Sequence, residues 1–167
     1  SPNNDNLKFL RQVFYHLQLG ESVWVDSNLI VLKHQNLKEN DNQPSIFFRT
    51  GGTSGQKKWI EHKAYSIEPA IKSLLLKIEE DCMSSLCCLP LNHVGGMMQV
   101  FRSIYSGGKI IFSDYRILLE KQDKNIITNL WISLVPTQLN NLLASRIGCD
   151  NLKKFKGIFV GGATLTE

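Results

Sequence analysis

Between two apolar runs, Ser45-Ile46-Phe47-Phe48 and Trp59-Ile60, the chain sets three glycines (Gly51, Gly52, Gly55), three hydroxyl side chains (Thr50, Thr53, Ser54) and two lysines (Lys57, Lys58). Glycine admits positive φ, so successive backbone N–H groups can turn toward one anion. The hydroxyls add donors and the lysines add charge. Together these are the groups that hold a polyphosphate. The stretch is not a Walker A loop, because G-x-x-x-x-G-K-[ST] fits it in no register, and there is no G-x-G-x-x-G. By composition alone, an ordinary hairpin turn uses the same residues.

Further polar or glycine-rich stretches close the later apolar runs. Asn92-His93 follows Ser85-Leu86-Cys87-Cys88-Leu89, and Ser113-Asp114 follows Lys109-Ile110-Ile111-Phe112. Pro136-Thr137 follows Trp131–Val135, and Gly161-Gly162-Ala163 follows Gly157-Ile158-Phe159-Val160. His93 is either a helix-start histidine satisfied locally or a group that meets substrate. Gly95 and Gly96, so near a helix start, cost about 1 kcal/mol each against alanine. Their presence points to a close approach by something else. Arg102 reads equally as a carboxylate partner and as a solvated charge.

The elements that position these residues follow from periodicity. Leu7, Leu10, Val13, Phe14 and Leu17 predict a helix over 6–19 closed by Gly20. Residues 22–25 and 29–32 read as short strands, and 36–44 as a polar connector. A strand at 45–50, the glycine loop and a strand from Lys58 to His62 come next. Ile67, Ala70, Ile71, Leu74, Leu75 and Ile78 mark a helix near 66–79. Strands at 85–89, 109–112, 131–135 and 157–160 then alternate with helical stretches. One carries Val94, Met97, Met98, Phe101, Ile104 and Tyr105, and another Leu139, Leu142 and Leu143. The pattern predicts an α/β fold with a largely parallel sheet flanked by helices. In such sheets ligands bind beyond the carboxyl ends of the strands, where the polar stretches above fall.

Composition narrows the partners. At 167 residues, 43% apolar and 20% charged, the chain can bury a core. A spread net charge of +4 tolerates a nucleotide or coenzyme but does not argue for nucleic acid. No apolar run is long enough to span a bilayer, and Ser1–Asn6 lacks signal-peptide character. Cys82, Cys87, Cys88 and Cys149 have neither C-x-x-C spacing nor a nearby histidine pair, so no metal site is expected. Free thiols in a reducing cytosol are the expectation, with Cys87 and Cys88 packed as small hydrophobes.

Four motifs in register give a family resemblance. Thr50-Gly51-Gly52-Thr53-Ser54-Gly55-Gln56-Lys57-Lys58-Trp59 is similar to the phosphate loop T-S-G-T-T-G-x-P-K-G of the adenylate-forming superfamily, which includes acyl-CoA synthetases, luciferases and peptide-synthetase adenylation domains. Leu89-Pro90-Leu91-Asn92-His93-Val94-Gly95-Gly96 resembles that family's L-P-L-x-H-x-x-G, Val135-Pro136-Thr137 its V-P-T, and Gly161-Gly162-Ala163 its adenine-contacting G-G-A. The resemblance covers 45–167 and departs from the motif at Gly51, Lys57 and Trp59. It implies an AMP-binding core at 45–167, preceded by a helix, short strands and a connector over 1–44. The implied reaction joins a small carboxylic acid to CoA at the expense of ATP, with Mg2+, in the cytoplasm.

On this resemblance Thr50, Gly51, Gly52, Thr53, Ser54, Gly55 and Lys58 hold the phosphates, Lys58 as a catalytic charge. Gly161, Gly162 and Ala163 face the adenine. His93, also catalytic, lies with Gly95, Gly96 and Arg102 along the acid, a flat aromatic one. The family's ribose-binding Asp, hinge and late catalytic Lys would lie beyond Glu167, so the chain alone is expected not to complete the reaction. Two other readings keep different chemistry: a nucleotide-binding module without catalysis, and a hydrolase using Ser54 or Cys88 with His93. Against the hydrolase, there is no G-x-S-x-G elbow.

Overall fold

A computed structural model describes residues 2–26, 31–32, 43–50, 58–120 and 127–162. The chain divides into two compact units, one of Ser1–Ile78 with Leu91–Val94, the other of Glu79–Pro90 with Gly95–Glu167.

In the first unit α1 (Pro2–Gln18) buries Phe9, Leu10 and Val13. The expected stripe included Leu7, which is 48% exposed, and missed Phe9. The buried arc is centred on 9, 10 and 13, and Leu7 falls past its edge. Gly20, at φ +73°, donates to Leu17 O while Glu21 N–H donates to His16 O, a left-handed cap that ends the helix. The strands β1 (Val23–Val25), β2 (Val31–Leu32), β3 (Ser45–Thr50) and β4 (Lys58–Lys63) form one sheet in the order β2-β1-β3-β4. β1 pairs parallel with β3, while β1–β2 and β3–β4 are antiparallel. This first sheet is therefore mixed. Parallel pairings predominate among the described residues, since all those of the second sheet are of that kind. β4 leads directly into α2 (Ala64–Lys77), which buries Ile67 and Ile71.

The second unit is built on a wholly parallel sheet of β5 (Ser85–Cys87), β6 (Ile110–Phe112), β7 (Trp131–Leu134) and β8 (Gly157–Val160), in the order β6-β5-β7-β8. Side-chain alternation gives it two unlike faces. Leu86, Ile132 and Leu134 pack on one face with Leu118, Ile127, Leu130, Leu142, Leu152 and Phe155. These come from a 3-10 turn (Tyr115–Leu119), the residues just before β7, α4 (Pro136–Leu143), α5 (Arg146–Leu152) and the turn after it. The other face meets α3 (Val94–Tyr105) and is partly polar. Ser103 Oγ donates to Ser85 Oγ at 3.3 Å, and Gln99 Nε2 reaches Cys87 Sγ at 3.6 Å.

That polarity corrects the expected stripe of α3. Met97 and Phe101 are buried, but so are Gly96, Gln99 and Ser103, whereas Val94, Ile104 and Tyr105 stand 40–52% exposed. The polar side chains go inward because the strand opposite offers Ser85 and Cys87 as partners. β5 also stops at Cys87, two residues short of its expected end. α5 was not expected at all, having few apolar residues and a glycine inside it.

Candidate functional site

The hairpin of β3 and β4 places the first group of residues. Six rungs pair in register, from Ser45 with Lys63 to Thr50 with Lys58. The glycine-rich stretch 51–57 is thus the connection at the last rung. Gly51, Gly52, Thr53, Ser54 and Gly55 lie outside the described residues, as does Ala163. Lys58 opens β4 and is exposed. The next rung inward is Arg49 with Trp59, the guanidinium carbon 5.7 Å from the indole centroid. Arg49 Nη1 also lies 3.3 Å from Asp26 Oδ1, just past the end of β1.

His93 immediately precedes α3 and is exposed. Gly95 and Gly96 form the first turn of that helix. Gly96 is buried, and a Cβ there would stand 2.2 Å from the carbonyl oxygen of Pro90 and 2.8 Å from that of Leu89. Its lack of a side chain has a packing reason, the close crossing of helix and strand exit.

All strands of the second sheet end on the same edge because all are parallel. Val135-Pro136-Thr137 leaves β7 there and begins α4, where Val135 N–H donates to Gln138 Oε1 at 3.1 Å. Gly161 and Gly162 leave β8, both exposed, with Gly161 N–H donating to Leu134 O at 3.2 Å. Gly162 has φ +91°, a conformation that a residue with a Cβ adopts only with strain, and the methyl Cγ1 of Val135 is its near neighbour.

Arg102, near the end of α3, is not a solvated charge. Its guanidinium carbon lies 5.0 Å over the ring of Phe159 in β8, and that ring stacks on Trp131 of β7 at 5.2 Å. Burial pulls the Arg102 pKa below the ordinary arginine value, because water is withdrawn from the charge, which arginine nevertheless keeps at neutral pH. Its Nε is buried without a hydrogen-bond partner among the described residues, and so is Trp131 Nε1. The sequence hid this stack, since a contact among α3, β7 and β8 has no local period. One trace was visible: Gly157 opens β8 beside Trp131, where a Cβ would come 2.0 Å from the indole ring.

Cys87 and Cys88 are poorly reactive. Burial pushes Cys87 up to about 11, and burial with the neighbouring Cys87 pushes Cys88 up to about 12. Cys88 lies just past β5 rather than within it, and its Sγ contacts Ser133 O at 3.5 Å. A thiol so protonated at neutral pH is a poor nucleophile, which removes the support for a cysteine hydrolase. At pH 8, iodoacetamide is expected to label exposed Cys82 well before Cys87 or Cys88, as read by peptide mass spectrometry. Both buried groups favour the protonated form in the folded state. Their contribution to stability is therefore present below pH 9 and lost as pH rises through about 11–12.

No family model matches the chain. A 2-succinylbenzoate–CoA ligase of Haemophilus influenzae is 32% identical over 117 residues, 65% of this chain and 25% of that protein. One of Enterococcus faecalis is 26% identical over 140 residues, 80% of this chain and 28% of its own length. The chain thus spans about a quarter of these relatives. Among solved structures, an acyl-CoA synthetase (AMP-forming)/AMP-acid ligase II-like protein of Dyadobacter fermentans matches 74% of this chain and 35% of its own, with a TM-score of 0.62 at 16% identity. The o-succinylbenzoate CoA synthetase of Bacillus subtilis in complex with AMP gives 0.57 at 22%, over 71% of this chain and 24% of its own. The chain is thus similar in sequence to a part of two 2-succinylbenzoate–CoA ligases, and it shares its fold with a part of solved acyl-CoA synthetases.

Proposed function

We propose that this chain is part of an ATP-dependent acid–CoA ligase whose acid is o-succinylbenzoate, the ligase of menaquinone and phylloquinone synthesis, working in the cytoplasm. The observation that carries the reading is positional. Each of the four motifs stands at the carboxyl end of a strand, after β3, β5, β7 and β8. The stretch from His93-Val94-Gly95-Gly96 to Phe101-Arg102-Ser103-Ile104 reads most like the o-succinylbenzoate ligases, and the two curated relatives carry that name.

In the first step a carboxylate oxygen attacks the α-phosphorus of ATP, and the bond to pyrophosphate breaks. In the second the CoA thiol attacks the acyl carbon and AMP leaves. Negative charge gathers on the departing pyrophosphate, and Thr50, Thr53, Ser54 and Lys58 with the loop N–H groups are assigned to disperse it. Gly161, Gly162 and Ala163 are assigned to the adenine. Mg2+ enters as part of the ATP complex; the described residues contain no group of three His, Cys, Asp or Glu that would hold it. His93, Gly95 and Gly96 are assigned to the acid. Arg102 is assigned to the second carboxylate of o-succinylbenzoate, for which a buried Nε lacking a partner among the described residues is a fitting donor.

The test is ATP–pyrophosphate exchange by the whole enzyme across a panel of carboxylic acids. Exchange driven by o-succinylbenzoate over benzoate and aliphatic acids is the expected result. Exchange driven by another acid overturns the substrate assignment, and ATP binding without exchange for any acid overturns the ligase.

A further inference from the structure

We propose that Arg49 and Trp59, with Asp26 behind them, are positioning residues that hold Thr50 opposite Lys58 for phosphate contact. The inference rests on the ligase reading of that rung and adds residues outside its phosphate set. β4 is the edge of its sheet, and its side chains are half-buried or exposed throughout, with Ile60 at 43%. A strand with so little buried is weakly held in register, and a slip of one residue turns every side chain to the other face. Such a slip would carry Lys58 away from Thr50.

At the inner end of the hairpin, Ser45 Oγ donates to Glu61 Oε1 at 2.7 Å and Phe48 meets His62 edge-on at 5.6 Å. At the outer end the lock is Arg49 on Trp59, one rung inside Thr50–Lys58. Cross-strand pairs of this sort are the unit that fixes sheet register. Asp26, 3.3 Å from Arg49, extends the lock to β1, so the ends of three adjacent strands are tied side chain to side chain. Trp59 stands where the resembled motif has glycine, and this pairing gives the departure a purpose.

The experiment is calorimetric titration of the whole protein with Mg-ATP and, separately, with AMP, which lacks the β- and γ-phosphates. Trp59→Ala is expected to weaken ATP about fivefold and leave AMP unchanged, on the scale of one exposed cation–π contact. Trp59→Phe, which keeps a ring under the guanidinium, is expected to recover most of the loss. ATP binding to Trp59→Ala as tight as to the unsubstituted whole protein overturns the positioning role alone. Equal losses for ATP and AMP also overturn it, reducing the pair to support of the fold. No ATP binding by the unsubstituted whole protein overturns both this role and the phosphate reading beneath it.

Discussion

On the ligase reading proposed above, Ser54→Ala or Thr53→Ala in the whole protein is expected to slow adenylate formation by about 10²–10³, some 2.7–4 kcal/mol of lost transition-state stabilisation. The size follows from timing. A hydroxyl aimed at the β- and γ-phosphates gains most as charge moves onto the leaving pyrophosphate, so its loss falls on the chemical step more than on substrate capture. A ground-state hydrogen bond to a charged partner would give only about 1.5–3 kcal/mol, and would appear in KM as well. Folding is expected to be spared, because both residues belong to the connection between β3 and β4 and not to their paired rungs. The check is pyrophosphate exchange, with kcat and KM for ATP separated, beside a thermal unfolding curve for each variant. Unchanged exchange removes these hydroxyls from the phosphate site; a parallel fall in unfolding temperature makes their role structural.

The hairpin that carries this loop was legible in the sequence for a simple reason. Two apolar, β-prone runs flank residues that turn a chain, and the observed strands, Ser45–Thr50 and Lys58–Lys63, match the expected 45–50 and 58–62 within a residue. The later strands were also plain, since strands of a parallel sheet read as short apolar runs, closed here by proline, by glycine or by Ser113-Asp114. Their order was not, because β6-β5-β7-β8 depends on which neighbour each crossover reaches and leaves no local mark.

Where polar groups go inside, periodicity misleads. Asn151 of α5 is buried, its Nδ2 donating to Leu118 O at 2.8 Å and Glu120 O at 3.0 Å, and a helix anchored in this way shows no apolar stripe to find. Gln99 and Ser103 upset the stripe of α3 for the same reason. At the candidate site, residue types and strand ends were readable, whereas the stack of Arg102, Phe159 and Trp131 was not, being made by three separate elements.

Gly96→Ala is expected to destabilise the chain by about 3 kcal/mol, at the upper end of what overpacking costs. The added methyl would sit 2.2 Å from the carbonyl oxygen of Pro90, 2.7 Å from its carbon and 2.8 Å from the carbonyl oxygen of Leu89. All three atoms are backbone, so no side-chain rotation relieves the clash. Either α3 must lift from the exit of β5 or the Leu89-Pro90 segment must move. Lifting α3 would also disturb Gln99 on Cys87 and Ser103 on Ser85 farther along the helix. For a chain of this length the change corresponds to a fall of roughly 6–12 °C in unfolding temperature. Gly95→Ala is the control, since its methyl would meet only the flexible Cδ1 of Leu89, at 3.3 Å. Calorimetry without ligand is the measurement that matters, because a glycine kept solely for close approach of the acid would tolerate alanine until substrate arrived. Equal unfolding temperatures for the two variants would therefore remove the packing explanation for Gly96 and return it to the substrate.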